Sequence, residues 1–449
     1  MLSVHETTHK QRRPIKILQF GEGNFLRAFV DIMIDVANEK GVFDGNVQIV
    51  KAVPFGSLDA FYEQDCVYTV LLRGKNKMEK RVITCVDSAV CAYNMYNEYA
   101  LSASNPDLQF IVSNTTEAGI VYDENDELSL CPPKTFPGKL TKFLYERYMA
   151  FAGAEDKGLI ILPVELIEHN GTKLKKYCLQ LAKQWKLPME FIYWLTDCNI
   201  FCNTLVDRIV TGYPKDESNA LEQELGYQDK LLVAGEPYAL WVVESEHPEL
   251  VANKLPLDNA GLPVLFTSNY SPYRERKVRL LNGTHTAAVF VSLLAGLETV
   301  GDAMCDPLVR TFIEGVLYNE LSSFVPLPPE EVKSFADSVL ERFENPYIQH
   351  EWRSIALNSV SKFKTRLLPT ILEKYDNTGT FPKLLCFSLA ALIEYYKIYG
   401  PGNDPDSPDE ILSSVPKMRR VVETYIGYIR EYGINTAVEK VLHQISCFN

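Results

Sequence analysis

Residues 15–38 constrain this fold more than any other stretch. Ile15-Lys16-Ile17-Leu18-Gln19-Phe20 is a short apolar run, and Gly21-Glu22-Gly23-Asn24-Phe25 follows at once. Leu26, Phe29, Val30, Met33, Ile34 and Ala37 then recur at helical spacing as far as Asn38, and residues 47–53 form a second apolar run. Strand, glycine turn, helix and strand in that order predict the opening of a β-α-β unit.

Alternation continues downstream. Strands are expected at residues 67–72, 80–87, 108–113, 159–163 and 191–195, with helices at 137–154 and 172–184. This favours an α/β domain with a largely parallel sheet. Arg73-Gly74-Lys75-Asn76 reads as a turn, so residues 67–87 should form an antiparallel excursion. Near residue 270 the pattern changes. Helices are expected at 284–297, 307–320, 329–343, 381–396, 408–414, 421–432 and 436–446, many opening on Pro, Asp or Ser and stopping at Gly. The boundary is placed near residue 266, giving an α/β domain over 1–266 and a mainly α-helical domain over 267–449.

The chain has 449 residues, 46% of them hydrophobic, which suits about three domains or two large ones and excludes disorder as the main state. Its 45 basic and 58 acidic residues leave a net charge of −13, which argues against nucleic acid or an anionic membrane as the partner. The basic runs Lys10, Arg12, Arg13 and Lys75, Lys77, Lys80, Arg81 are short and read as solvated surface. The first residues are polar, and no apolar stretch is long enough to span a bilayer. The ten cysteines are sparse, and Cys66, Cys85 and Cys386 sit in apolar contexts, as expected of reduced core residues in a cytoplasmic protein. Cys198 and Cys202 lack a second ligand pair, so no metal site is expected.

Gly21-x-Gly23 after a buried strand suits a dinucleotide loop, with Asn24 and Phe25 opening the helix that would receive the pyrophosphate. Leu26 stands where a third glycine is usual, and a structural strand–helix turn is the alternative. Residues 50–56, Val-Lys-Ala-Val-Pro-Phe-Gly, carry no carboxylate for an adenosine ribose; Lys51 would suit a 2′-phosphate or simply face solvent, leaving NAD and NADP both open. Asn114, Thr115 and Glu117 follow a strand and are placed to line a cofactor crevice; a polar turn with a helix cap is the equal alternative.

Lys277-Val278-Arg279-Leu280-Leu281-Asn282-Gly283-Thr284-His285 presents an ammonium, an amide and an imidazole. If a helix starts at Asn282, Asn282 and His285 share a face, with Lys277 on the entering segment. The trio suits carbonyl reduction: a proton donor, an alkoxide-holding amide and a positioning imidazole. A capped helix with a core histidine fits equally. Asn203 follows an apolar stretch, before a possible helix, with Asp207 and Arg208 beyond it. Residues 353–369 are basic within an acidic chain, and their arginines suit a carboxylate substrate; a solvated face is the other reading.

Together these stretches resemble the polyol-specific long-chain dehydrogenase family, which includes mannitol dehydrogenase. The opening segment 17–29, Thr116-Glu117-x-Gly119, Asn203-x3-Asp207-Arg208-Ile209, Lys277-x4-Asn282-x2-His285, and Ser361-Lys362 before Leu367-Leu368-Pro369-Thr370 carry the resemblance from about residue 15 to the C-terminus. It implies a Rossmann-type N-terminal domain, a mostly helical C-terminal domain and an active site between them. It also implies metal-independent, NAD-linked reduction of a small keto-sugar acid, tagaturonate to altronate in the first instance. Fructuronate or a ketohexose such as fructose is the alternative, and a catalytically inactive nucleotide-binding protein a more distant one. Lys277 would be the general acid/base, Asn203 and Asn282 the amides holding the oxyanion, and His285 the substrate-orienting group; Arg353 and Lys362 would contact substrate. The family contains monomers and oligomers, so the assembly state stays open.

Overall fold

The computed structural model describes residues 2–115 and 119–446. The chain divides between Tyr270 and Ser271 into two compact units.

The first unit is built on six strands: β1 (Ile15–Phe20), β2 (Asn46–Lys51), β3 (Val86–Cys91), β4 (Phe110–Ser113), β5 (Ile160–Pro163) and β6 (Ile200–Phe201). Their order is β3-β2-β1-β4-β5-β6, and every neighbouring pair is parallel. The strands are apolar on both faces because both are covered. Ile17 and Phe110 belong to one core, with Phe29 and Trp241, whereas Leu18 and Ile111 belong to the other, with Phe143 and Phe191. The order reverses between β1 and β4, where ligands of such sheets bind. This is the Rossmann arrangement.

Tyr68–Arg73 pairs antiparallel with Met78–Ile83 across the 74–77 turn, as expected, but residues 80–87 straddle two strands, since Val86 already opens β3. Residues 191–195 are not a strand; they lie in the helix Met189–Asp197. Phe191, Ile192, Trp194 and Leu195 are buried while Tyr193 is exposed, a helical spacing that a five-residue apolar run cannot reveal. Asn203 does not precede a helix either. It opens the strand Asn203–Asp207, which pairs with Leu240–Glu244 in a separate sheet.

Residues 24–39 form one continuous helix, α1, widened to a π turn over Arg27–Asp31. The Arg208 guanidinium donates to the Ala28 carbonyl inside that turn at 2.6 Å and to the Tyr238 and Pro237 carbonyls at 3.0 and 3.1 Å.

The second unit is helical. Its centre is the helix Lys383–Tyr399, in which every residue from Leu384 to Leu392 is buried. One feature departs from expectation. Residues 271–294 form one helix, α2, so no helix begins at Asn282; Lys277–Asn282 is a π turn within it. The basic stretch around 353–369 contains the short helix Trp352–Ile355 and a further helix, α3 (Ser359–Arg366). No described helix is long and apolar enough to cross a membrane.

Candidate active site

At the carboxyl end of β1, Gly21 has φ of 127°, and a Cβ there would lie 3.0 Å from the Asn114 carbonyl oxygen and 3.1 Å from Leu26. Glycine is therefore required both by conformation and by space. The Gly21 N–H donates to Val50, and the Asn114 N–H to Phe20, each at 3.0 Å, which knits the tip of β1 to β2 and β4. Gly23 differs: its φ is ordinary, at −68°, and a Cβ would meet nothing within 4 Å. The Arg27 N–H bonds to Gly23, and Gly23 brings no side-chain cap, so the amides of Asn24, Phe25 and Leu26 lack helical acceptors. An open backbone, three such amides and the positive end of a helix fit a dinucleotide pyrophosphate. Asn24 accepts from Arg27 Nη2 at 2.6 Å. The Phe25 ring stacks on Phe29, so this residue offers its amide.

Two buried acids that the sequence reading missed support this edge. Glu165, beyond β5, accepts from the Ser113 hydroxyl at 3.0 Å and from the Thr115 N–H and hydroxyl at 3.0 and 2.9 Å, fixing the loop after β4. Burial pushes its carboxyl up. Asp31 lies beneath the glycine turn. Tyr68 donates to its Oδ2 at 2.6 Å, and Gln19 Nε2 reaches both that oxygen and the Gly21 carbonyl, at 3.4 and 3.2 Å. Burial pushes Asp31 up to about 7, against the Tyr68 and Gln19 hydrogen bonds and Arg27. Glu117, expected in the cofactor crevice, lies outside the described residues.

At the tip of β2, Lys51 is only 2% exposed, and its ammonium donates to the Val53 carbonyl at 2.7 Å. It does not face solvent, and its ammonium is turned to its own loop. Asp59 is exposed at the start of the helix Asp59–Glu63.

Asn203, also in the first unit, is held by both ends of its carboxamide. Oδ1 accepts from the Thr172 N–H at 2.9 Å, and Nδ2 donates to Glu244 at 2.7 Å, which leaves one N–H. Glu244 also accepts from the Tyr270 N–H at 3.1 Å. Sequence spacing could not reveal Glu244, because it reaches Asn203 by strand pairing.

In the second unit, Lys277 and Asn282 bracket the π turn of α2. In an uninterrupted α-helix, residues five apart point about 140° away from each other. The wider turn, closed by the Gly283 N–H on the Val278 carbonyl, swings them towards one face. Both are half-buried, and among the described residues the Asn282 carboxamide has no hydrogen-bond partner. His285 follows within an aromatic cluster: Phe343 stacks on its ring at 4.3 Å, and the His350 and Trp352 rings meet it edge-on at 5.0 and 6.2 Å. Its Nε2 is buried without a partner. Burial, and then His350, Arg342, Arg366 and Lys362, hold the imidazole well below its usual range, so it is neutral. Lys362 thus shares the surroundings of His285. Arg353 is exposed on the Trp352–Ile355 helix and is not among the charges His285 feels.

Sequence comparison covers nearly all of this. The mannitol dehydrogenase Rossmann domain matches residues 15–259, and the mannitol dehydrogenase C-terminal domain matches residues 269–446. The chain belongs to the mannitol dehydrogenase family. Altronate oxidoreductase of Enterobacter sp. (strain 638) is 46% identical over 389 residues, covering 86% of this chain and 80% of the relative; that of Escherichia coli O7:K1 matches to the same extent. Among solved structures, a substrate-free D-sorbitol dehydrogenase superposes with a TM-score of 0.81 at 20% identity, covering 98% of this chain and 100% of the other. Pseudomonas fluorescens mannitol 2-dehydrogenase, in complex with NAD and D-mannitol, gives 0.70 at 22% identity, covering 96% and 95%. These likenesses establish the fold. Family membership places the chain among NAD-dependent oxidoreductases of polyols and sugar acids.

Proposed function

We propose that this protein catalyses the reversible, NAD-linked reduction of D-tagaturonate to D-altronate. The observation that carries the reading is 46% identity with altronate oxidoreductases over 86% of the chain. The succession of lysine, carboxamide and neutral imidazole along α2 supports it.

The Gly21–Gly23 turn and the first amides of α1 would hold the pyrophosphate, with Asn114 and Thr115 lining the crevice. When bound, the nicotinamide would supply a hydride to the substrate carbonyl carbon. Lys277 Nζ would donate a proton to the carbonyl oxygen as negative charge develops there. The Asn282 carboxamide and the remaining Asn203 N–H would donate hydrogen bonds to the same oxygen. A neutral His285 has a lone pair at one ring nitrogen, so it would orient the substrate by accepting from a hydroxyl. In the oxidation of altronate, neutral Lys277 would take the proton back. Lys362, and Arg353 from the rim, would contact the sugar acid. The inward-turned Lys51 supports NAD over NADP, because it presents no cation to a 2′-phosphate.

The test is NADH oxidation with tagaturonate, fructuronate and fructose. Turnover should be highest with tagaturonate. Preference for fructuronate or fructose would move the substrate within the family, and inertness of folded protein towards all three would end the enzyme reading.

A further inference from the structure

The three cations of α3 divide by face. Lys364 points outward and is matched, at 2.5 Å from Glu410 and 3.7 Å from Asp406. Lys362 and Arg366, four residues apart, share the other side. The Lys362 ammonium donates to the Ile355 carbonyl at 3.0 Å, and Arg366 Nη1 donates to the Thr286 hydroxyl at 3.2 Å. Among the described residues neither lies within ion-pair distance of a carboxylate. Asp404 is the acid that Lys362 feels, and its Oδ2 already accepts from the Val360 N–H and the Tyr396 hydroxyl.

Three other arginines of this unit are matched. Arg279 lies 2.6 Å from Glu275 and 2.9 Å from Glu373, Arg310 lies 2.8 Å from Glu314, and Arg430 meets Glu394. In this unit Arg366 is half-buried with only a hydroxyl for a partner, an arrangement that costs desolvation. Burial alone holds the Arg366 guanidinium below its usual range. Thr286, its partner, is the residue after His285. Two buried polar atoms of the neighbouring aromatic cluster, His285 Nε2 and Trp352 Nε1, have no partner either.

We infer that Arg366, with Lys362 beside it, is the seat of the substrate carboxylate and so selects a sugar acid over the neutral sugar. This rests on the keto-sugar acid reading above. A guanidinium presents a planar fork that matches a carboxylate with two parallel hydrogen bonds. The seat adjoins Thr286, one helical turn beyond Asn282 and about 6 Å along the axis. Four carbon–carbon bonds, those separating the carbonyl and carboxyl carbons of tagaturonate, span a similar length. Exposed Arg353 is left a lesser part, since water competes for any ion pair it makes.

The experiment compares tagaturonate with tagatose, which carries a hydroxymethyl group in place of the carboxylate, in wild type, Arg366→Met, Arg366→Lys, Arg353→Met and Lys364→Met. For Arg366→Met, KM for tagaturonate should rise about 10- to 100-fold, while kcat/KM for tagatose stays within about twofold. Arg366→Lys, which keeps the charge without the fork, should recover part of the loss and guards against a misfolded methionine variant. Lys364→Met should match wild type. An equal loss for both sugars, or a loss confined to Arg353→Met, would overturn the inference while leaving the proposed reaction intact. If wild type reduces neither sugar, the reaction is wrong, and calorimetric titration with D-altronate decides the seat separately. Binding by wild type that Arg366→Met abolishes supports it; equal binding by both, or none by either, overturns it.

Discussion

His285 is neutral because burial comes first among the influences on it, and His350, Arg342, Arg366 and Lys362 then all disfavour a proton on it. An imidazolium could only donate; the neutral ring can also accept from a sugar hydroxyl. Lys277 is assigned the proton, so Lys277→Ala should lower kcat by about 10²- to 10⁴-fold with NADH affinity nearly unchanged, as read by turnover and by fluorescence titration. Asn282→Ala should lose about 10²- to 10³-fold in kcat, whereas His285→Ala should damage kcat and KM together. Near-normal turnover of Lys277→Ala across pH would hand the proton to His285 or to water. Asp31 permits a different test. Its carboxyl is raised from 3.8 to about 7, so between those values the folded protein binds a proton that the unfolded chain has released. Its contribution to stability is therefore full below about pH 4 and is lost as pH rises through about 7. A proton there also supplies the donor that two buried acceptors, Asp31 Oδ1 and Gln19 Oε1, lack. Asp31→Asn removes this slope. Between pH 5 and 8 its stability relative to wild type should improve by roughly 2–3 kcal/mol, measured by urea unfolding; a constant difference would mean that Asp31 is ionised throughout.

At the scale of elements, the helices that carry the proposed cofactor turn and the proposed proton donor share one irregularity. Both α1 and α2 widen to a π turn, at Arg27–Asp31 and at Lys277–Asn282. Such bulges recur at functional sites because they re-aim side chains and release carbonyls. In α1 the Ala28 carbonyl is taken up by Arg208, whose guanidinium burial holds down at about 10. Arg208→Met should destabilise the protein by about 3 kcal/mol or more, since three partly buried carbonyls lose a charged donor; a change below about 1 kcal/mol in thermal unfolding would show that water replaces it. The glycine turn yields a paired prediction. Gly21→Ala forces a Cβ to 3.0 Å from a carbonyl oxygen at φ of 127°, and should cost about 1–3 kcal/mol. Gly23→Ala meets nothing in the protein, so stability should move by less than about 1 kcal/mol. NADH affinity should nevertheless fall about tenfold or more, because the methyl group stands where the pyrophosphate would approach. Unchanged affinity in Gly23→Ala would remove this turn from the cofactor site.

For the whole molecule, the Rossmann unit is at once the more general part and the part that sets cofactor choice. Its sheet order is the one that places a ligand outside the ends of β1 and β4. The β2 tip presents no cation, because Lys51 is bound to its own loop. NADH should accordingly bind more tightly and turn over faster than NADPH in competitive titration. The reverse preference would require another cation at that tip. On the proposed reading the helical unit would carry the chemistry specific to the substrate, and in a chain with net charge −13 it would hold an acid through a local excess of half-buried cations.

Features that depend on local spacing could be read from the chain alone. The strand–glycine–helix opening, the antiparallel excursion around Gly74 and the switch to helices near residue 270 are local patterns, and each was legible. Lys277, Asn282 and His285, near neighbours in the chain, stood out as one cluster of an ammonium, an amide and an imidazole. Tertiary structure decided what depends on partners far apart in sequence. Residues 191–195 became a helix because burial followed a helical spacing. Asn203 became a strand residue because Leu240–Glu244 pairs with it, and that pairing alone brought up the Glu244 carboxylate that orients its amide. Lys51 turned inward, and Glu165 and Asp31 acquired roles, through hydrogen bonds at the crowded end of a parallel sheet. Arg366 and Lys364 are two residues apart and equally basic on paper. Which of them is matched by an acid and which is left beside the histidine depends on what packs against each face of α3, and spacing along one chain carries no record of that.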